Sequence, residues 1–253
     1  MSGWDLLADE AAAWAAEGRE AVLWWRDDDA TAPGPRLDDL TALADRHRIA
    51  ATLAVIPGRF ADGFAAWMAD HPLLHPIQHG YRHKNHAGAG ERASEFPASR
   101  PLADRLADYR AGAAAFAEAF GAPPAAFTPP WNRIGADFGP ALADLGLGSL
   151  SAFGAATVDQ RPRRLNCHLD VVRWREGKSF IGDEEAVRRM IEGLRARRLA
   201  TDADARAEPF GVLTHHIDHR PETWAFLDRL FAETKDRPGL VWKDWRAAAG
   251  MAG

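Results

Sequence analysis

The sequence predicts an α/β protein in which a mainly parallel sheet curls into a barrel-like form. Short apolar runs alternate along the chain with longer segments of helical periodicity, the pattern expected of successive βα units. At 253 residues and 47% hydrophobic content, the chain can build one substantial core. Because neither a repeat nor a Gly, Ser or Pro linker interrupts the pattern, we expect residues 1–253 to form a single domain.

The predicted elements follow directly from this alternation. The apolar runs predict strands at 21–25, 51–56, 73–78, 125–128, 147–150, 166–171, 210–214 and 239–242. Apolar residues three or four apart predict four helices, on the faces Leu37, Leu40, Ala44 and His47; Leu102, Leu106, Tyr109, Ala113, Phe116 and Phe120; Val187, Met190, Ile191 and Leu194; and Trp224, Leu227, Leu230 and Phe231. Asp183 is the expected N-cap of the third, and Pro221 lies in the first turn of the fourth.

Charge and composition exclude several classes of protein. The net charge of -5 and the absence of a Lys/Arg run disfavour nucleic acid and anionic lipid as partners. No window approaches the ~20 apolar residues of a membrane span. The first 20 residues lack the basic start and apolar segment of a secretory signal, so we expect a cytoplasmic protein. The single Cys167 has no partner for an internal disulfide and is expected to be a small buried residue.

Three polar clusters each follow a different predicted strand. The first is Arg26-Asp27-Asp28-Asp29, whose mutual repulsion a divalent cation would relieve; a solvated Asp-rich turn is the alternative. The second contains His79 and His83, which can converge on one metal if the chain turns helically after the strand. His86, three residues further, would be a substrate or supporting group.

The third cluster, Leu213-Thr214-His215-His216, follows the strand at 210–214 near the other end of the chain. In α/β barrels catalytic groups come from the carboxyl ends of different strands, so clusters that are distant in sequence share one mouth. A solvated loop would account for any one cluster alone. All three together indicate a shared site.

These motifs resemble those of the polysaccharide deacetylases, the NodB-homology or carbohydrate esterase family four proteins. Trp25-Arg26-Asp27-Asp28-Asp29 is similar to the family's Thr-Phe-Asp-Asp-Gly, and His79-Gly80-Tyr81-Arg82-His83 to its His-Ser/Thr-x-x-His. The resemblance implies that Asp27 is the catalytic base and that Asp28, His79 and His83 bind a divalent metal. If the alignment slides by one residue, Asp28 becomes the base and Asp29 the ligand.

Two further motifs extend the resemblance over most of the chain, from Ala21 to His216. Thr128-Pro129-Pro130-Trp131-Asn132 is similar to Arg-Pro-Pro-Tyr-Gly, which implies that the Trp131 backbone N–H helps bind an oxyanion. Leu213-Thr214-His215 resembles Leu-x-His and makes His215 the general acid, with His216 as its competitor. A looser match runs from Leu169 and Asp170 to Trp174.

The family's motif-three arginine is replaced by Thr128, so either Arg26 or Arg133 would orient the base, or the base is tuned differently. Other residues expected to contact substrate or support the site are Asp29, Arg26, His86, Pro130, Asn132, Arg133 and His216. The fold implied by the resemblance is a distorted (β/α)7 barrel.

The implied reaction is metal-dependent removal of an N-acetyl or related acyl group from a carbohydrate. The metal would be Zn²⁺, although an Asp-His-His site also accepts Co²⁺, Mn²⁺ or Fe²⁺. The expected substrate is an acylated amino sugar, or a related small or lipid-linked carbohydrate. Two alternatives stay open: a deformylase or other C–N amide hydrolase on the same scaffold, and a catalytically idle barrel that binds a glycan.

Overall fold

The computed structural model describes residues 2–154, 161–175 and 177–251. Eleven strands occur in these ranges: β1 Ala21–Ala30, β2 Ala51–Val55, β3 Leu74–His79, β4 Ala126–Thr128, β5 Ser149–Leu150, β6 Arg163–Arg164, β7 Cys167–Asp170, β8 Val172–Arg173, β9 Ser179–Phe180, β10 Phe210–Thr214 and β11 Leu240–Trp242. Eight of them form one hydrogen-bonded path in the order β6-β5-β4-β3-β2-β1-β10-β7, and β11 pairs with β1.

Every pairing in this sheet is parallel, whereas β8 and β9 form a separate antiparallel pair. Strand β1 lies at the centre, between β2 and β10. Its first residues form a continuous apolar run, as expected of a strand that is covered on both faces. The curled parallel sheet confirms the predicted barrel-type α/β fold.

The described helices are α1 Gly3–Ala16, α2 Pro35–His47, α3 Phe64–Ala69, α4 Leu102–Phe120, α5 Phe138–Asp144, α6 Asp183–Leu199, α7 Ala203–Ala207, α8 Pro221–Thr234 and α9 Trp245–Ala248. The four helices predicted from periodicity correspond to α2, α4, α6 and α8. In α6 the prediction was wrong by one residue, because Gly182 is the N-cap and Asp183 begins the helix. None of the helices in the described ranges combines the length and apolar character needed to cross a bilayer.

The core lies between the sheet and the helices that cover it. Its largest cluster joins side chains of β1, β2 and β10 to apolar faces of α1, α2, α6 and α8. Within it the Trp25 and Phe231 rings are 4.9 Å apart, and Trp25 also donates a hydrogen bond from Nε1 to Thr214 Oγ1 at 2.8 Å. This packing fixes β1 against β10, the two strands that carry the acidic and the last histidine clusters. Cys167 is partly buried beside a second cluster.

Strand β1 is longer than its apolar run predicts. The expected strand ended at residue 25, but pairing with β10 continues to Asp27 and pairing with β2 continues to Ala30. The acidic residues therefore belong to the strand itself. Asp27 and Asp28 can be buried there because neighbouring side chains pair with them, which a hydrophobicity pattern does not reveal.

Candidate metal and catalytic site

A cavity of about 470 Å³ opens at the carboxyl ends of the parallel strands. This is the end at which α/β barrels hold their reactive groups. The residues that line the cavity come from all three polar clusters and from the loop after β4: Asp28, Asp29, His79, His83, Trp131, Asn132, Arg133, Phe153, Asp170, Trp174, Lys178, Leu213 and His215.

Asp29 owes its orientation to a β-bulge. The pairing of β1 with β2 shifts register between Asp28 and Ala30, so that Asp29 is an extra residue in the strand. Its φ of 74° is left-handed. Side chains normally alternate between the two faces of a strand, but a bulge re-aims one of them. Asp28 and Asp29 can therefore both face the cavity although they are adjacent in sequence.

Asp29, His79 and His83 form the group whose ligand atoms converge. One carboxylate oxygen and one nitrogen from each imidazole all lie within 4.8 Å of one another. Asp29 Oδ1 is 3.3 Å from Nε2 of His79 and 3.3 Å from Nε2 of His83. Among the described residues this is the set of acidic, histidine or cysteine side chains arranged to hold an ion.

The hydrogen bonding of this group fits a divalent cation. His79 Nδ1 lies 3.1 Å from the Thr128 carbonyl oxygen, to which it must donate its proton, and this leaves Nε2 with a free lone pair toward Asp29. Asp29 Oδ1 is buried and has no hydrogen-bond partner within the described ranges. One carboxylate and two imidazoles are ligands that Zn²⁺ accepts, and three protein ligands leave an open position.

Asp28 instead forms a buried ion pair with Arg26. Arg26 Nε is 2.8 Å from Asp28 Oδ1, and Arg26 Nη2 donates to Asp28 Oδ2 at 3.0 Å. The guanidinium also donates to Ser151 Oγ at 2.6 Å and to Asn132 Oδ1 at 2.7 Å. Of the two arginines considered in the sequence analysis, Arg26 and Arg133, it is Arg26 that contacts and orients the Asp28 carboxylate beside the cavity.

Asp27 points to the opposite face of β1, away from the cavity. Its carboxylate is fully buried and accepts hydrogen bonds from Thr214 Oγ1 at 2.6 Å and from the His216 backbone N–H at 2.9 Å. His216 Nδ1 is 2.5 Å from the other oxygen. Although burial alone would raise the pKa of Asp27, His216 holds it below its usual range. Asp27 and His216 therefore join β1 to the turn after β10.

These placements favour the second register of the sequence analysis over the first. Asp28 is paired with Arg26 and is not one of the three converging groups, and Asp27 is not among the residues that line the cavity. The physical reason is the bulge, which places Asp29, not Asp28, beside His79 and His83. The structure favours the alternative alignment, with Arg26-Asp27-Asp28-Asp29-Ala30 at the positions of Thr-Phe-Asp-Asp-Gly.

His215 lies across the cavity from the imidazole pair. Its Nε2 is 3.9 Å from Asp28 Oδ2, and its ring centroid is 4.6 Å from that of Trp174. Trp174 Nε1 donates to Asp170 Oδ2 at 2.6 Å. Asp170 is largely buried, and this burial raises the pKa of its carboxyl group. The loose match around Asp170 and Trp174 therefore does reach the cavity, and so does His215 rather than His216.

The loop after β4 forms another wall. Trp131 and Asn132 both have positive φ, at 58° and 55°, and the Trp131 ring lies 4.5 Å from the His83 ring. Arg133 Nη1 donates to the Ala93 carbonyl at 3.1 Å and its side chain lines the cavity. Pro130 is buried behind this wall, where its ring packs close to Gly80.

Some residues differ from the sequence-based expectations. His86 is not among the residues that line the cavity, and its backbone N–H donates to the Ser94 carbonyl at 2.9 Å. Phe153 and Lys178 line the cavity but were not predicted, since neither belongs to a recognisable motif. Glu95 was also missed, although its buried carboxylate accepts hydrogen bonds from the loop between His79 and His83.

The protonation of the three converging groups reflects their proximity. Burial alone would lower the pKa of His79, but Asp28 and Asp29 raise it above its ordinary value. Burial and the neighbouring His79 lower the pKa of His83. The two imidazoles hold the pKa of Asp29 far below its usual range in spite of burial. Asp29 is therefore a carboxylate at neutral pH and available to a cation.

No family model and no curated protein matches this sequence, but solved structures share its fold. A protein from Mycobacterium smegmatis classed as a polysaccharide deacetylase has a TM-score of 0.65 and 15% identity over 91% of this chain and 90% of its own. The chitin deacetylase of Colletotrichum lindemuthianum has a TM-score of 0.57 and 17% identity over 92% of this chain and 89% of its own. A family 4 acetyl xylan esterase from Clostridium thermocellum, solved with a cobalt ion, gives 0.56 and 15%, covering 91% and 93%.

A mutant of a family 4 pseudoenzyme also shares the fold, with a TM-score of 0.57 and 14% identity over 91% of this chain and 67% of its own. The fold therefore does not by itself establish catalysis. What the alignments do show is the architecture, and the chain has the barrel fold of the family 4 polysaccharide deacetylases, from which its sequence is strongly divergent.

Proposed function

We propose that this protein is a metal-dependent hydrolase that removes an acetyl or related acyl group from the nitrogen of an amino sugar. The observation that carries the proposal is the convergence of Asp29, His79 and His83 on one point, beside a second carboxylate and a third histidine in the same cavity. The solved structures with this fold include a chitin deacetylase and an acetyl xylan esterase, which supports a carbohydrate substrate.

In this proposal Asp29, His79 and His83 hold a divalent ion, most simply Zn²⁺. The cobalt ion in the acetyl xylan esterase supports a divalent metal, and Co²⁺, Mn²⁺ and Fe²⁺ suit the same ligands. A divalent ion in such a site supplies Lewis acidity, which acidifies water and polarises a carbonyl.

The remaining residues would divide the proton transfers between two sides of the cavity. Asp28, oriented by Arg26, would accept a proton from the attacking water. The Trp131 backbone N–H would donate to the oxygen that develops negative charge. His215 would donate a proton to the departing nitrogen. In sum, water adds to the acyl carbon, the C–N bond breaks, and the products are a free amine and a carboxylate.

The walls of the cavity suit a sugar ring. Trp131, Trp174 and Phe153 present aromatic surface beside the polar groups, and aromatic faces pack well against the apolar faces of sugars. A volume of about 470 Å³ lies within the range of small-molecule sites. We therefore propose a small acylated amino sugar, or the end of a lipid-linked or longer glycan, as the substrate.

Two matched variants separate the proposed roles and the two registers. Asp28→Asn should keep stoichiometric zinc and lose at least about 100-fold in acetate release, in line with the removal of a general base. Asp29→Asn should lose the zinc itself. Elemental analysis of the purified proteins and an acetate assay on N-acetylglucosamine oligomers measure both effects. If Asp28→Asn loses the metal while Asp29→Asn keeps it, the first register is right.

The alternatives give different outcomes in the same assays. A deformylase or another amide hydrolase would bind metal but release formate or ammonia from a substrate panel. An idle glycan-binding barrel, for which the family 4 pseudoenzyme is a precedent of the fold, would bind oligosaccharide without releasing any product, including acetate from an activated aryl ester.

A further inference from the structure

Glu95 is a buried carboxylate outside the cavity that the proposed mechanism does not use. Its side chain is 1% exposed, and no salt bridge joins it to a cation within the described ranges of the chain. An ionised carboxylate in such a place is costly unless other groups hydrogen-bond to it. The hydrogen-bond donors to Glu95 therefore indicate its role.

The donors are backbone amides of the segment that carries the two histidines. Arg82 N–H donates to Glu95 Oε1 at 2.8 Å and Tyr81 N–H donates to Oε2 at 3.1 Å. Lys84 N–H makes a longer contact to Oε1 at 3.4 Å. The carboxylate thus holds the chain on both sides of His83. Hydrogen bonds to a charged acceptor are about twice as strong as neutral ones.

The backbone that Glu95 holds is not one that the sequence would adopt unaided. His83 has a φ of 56° and Gly80 a φ of 58°. A left-handed conformation costs a residue with a Cβ roughly 1–2 kcal/mol, so His83 needs external support to keep it. The Glu95 bonds to Arg82 and Lys84 flank His83 in sequence and supply that support.

Gly80 and Glu95 are adapted to each other. A Cβ at residue 80 would lie 2.0 Å from Glu95 Oε2 and 2.6 Å from Pro130 Cδ. The position at which the family motif has Ser or Thr is therefore glycine here because the carboxylate occupies the space. In this chain the Glu95 carboxylate, which comes from another loop, lies at the place where the motif would have the hydroxyl group of residue 80.

The segment around Glu95 also reaches the opposite wall of the cavity. Ser94 Oγ donates to the Arg133 carbonyl at 2.9 Å, and the Ser94 carbonyl accepts from His86 N–H at 2.9 Å. The Phe96 carbonyl accepts from Gly135 N–H at 2.9 Å. Residues 94–96 therefore connect the loop of His83 to the loop that carries Trp131.

We infer that Glu95 is a positioning residue that sets the location of the His83 imidazole relative to Asp29 and His79. This inference rests on the proposed function, because it assigns Glu95 a role toward the ion that those three residues would hold. Glu95 touches neither the ion nor the substrate. It acts by fixing the backbone of the segment from Gly80 to Lys84.

The test is the zinc affinity of Glu95→Gln, with Glu91→Gln as the matched control. Glu91 lies in the same loop and accepts hydrogen bonds from Gly88 N–H and Ser99 Oγ, but it is exposed and is not among the residues that line the cavity. Competition with a chromogenic chelator measures the dissociation constant. Unfolding in EDTA measures the stability of the metal-free protein separately.

Glu95→Gln replaces one acceptor oxygen with an NH₂ group that faces a backbone N–H. We expect its zinc affinity to fall 10- to 100-fold, the usual effect of removing a supporting hydrogen bond at a metal site, and that of Glu91→Gln to change less than about 2-fold. The visible absorption of the Co²⁺-loaded protein should also change, since the ligand geometry does.

Each other outcome has a definite meaning. If Glu95→Gln lowers stability in EDTA but binds zinc as tightly as the wild type, Glu95 is merely structural and the inference is overturned. If Glu95→Gln does not fold, Glu95→Asp provides the test, because its shorter side chain keeps the charge but cannot reach both amides. An unchanged zinc affinity of Glu95→Asp would also overturn the inference. If the wild-type protein binds no zinc, the proposed function fails first.

Discussion

The buried ion pair between Arg26 and Asp28 makes a quantitative prediction about stability. Asp28 is 3% exposed, and replacement of Arg26 by Met removes both its counter-ion and the two contacts from the guanidinium. It also removes the hydrogen bonds that Arg26 donates to Ser151 and Asn132. Removal of one partner of a buried pair typically costs about 3–5 kcal/mol.

For a chain of this size a loss of about 1 kcal/mol lowers Tm by roughly 2–4 °C, so we expect Arg26→Met to lower it by about 6–20 °C. Asp28→Asn removes the charge that Arg26 neutralises, and the double variant should recover about 2 kcal/mol or more relative to the sum of the singles. Urea denaturation in EDTA, which keeps metal out of the comparison, measures all four proteins.

Arg26→Lys provides the control for charge alone. Lys is a point charge on a flexible stem and cannot reproduce the planar fork that contacts Asp28, Ser151 and Asn132 together. We expect a loss intermediate between that of Met and the wild type. The reasoning is refuted if Arg26→Met unfolds at the wild-type urea concentration, or if the cycle gives a coupling below about 0.5 kcal/mol.

Three further predictions concern the site and its surroundings. EDTA should lower the Tm of the zinc-loaded wild type but leave that of Asp29→Asn unchanged. The reason is that a ligand present at 100 times its dissociation constant stabilises the folded protein by about 2.7 kcal/mol, and only the wild type would bind the ion. Equal changes in Tm for the two proteins would argue against Asp29 as a ligand. Burial lowers the pKa of His219 to about 4. The free energy of unfolding should therefore be constant above the unfolded pKa of about 6.5 and fall by about 3 kcal/mol as the pH decreases to 4, because only the unfolded chain takes up the proton in that range. Urea denaturation at pH 7 and at pH 4.5 should show a smaller loss of stability for His219→Gln than for the wild type. Gly80→Ser, which introduces the residue type of the family motif, should cost about 2 kcal/mol or more, since it adds left-handed strain to the contact with Glu95; a variant as stable as the wild type would contradict this.

Apolar periodicity was sufficient to predict the parallel sheet and its main helices. Strand β10 has the predicted bounds, and α4 carries the predicted apolar stripe. Helix α1 was not predicted, although Ser2 and Asp5 form a capping box at its start. Strands β6, β8 and β9 are each only two residues long, which is too short for a periodic pattern.

The site was predictable to the level of its clusters but not of its register. Placement after strands brought the acidic triplet, the His79 and His83 pair, and His215 to one cavity. Which carboxylate meets the imidazoles depends on a single bulge, and hydrophobic patterns do not encode bulges. Glu95 was invisible for a related reason: its role comes from backbone amides that become its partners only when the loop folds.

The bulge at Asp29 has a consequence for how this barrel can change over evolutionary time. Asp29 combines a left-handed backbone, worth on the order of 1 kcal/mol of strain, with a charge beside Asp28. Glycine at this position would relieve the backbone strain and would remove the carboxylate of the proposed ion site in the same step. In the proposed site, backbone relaxation and ion binding therefore oppose each other at this one residue.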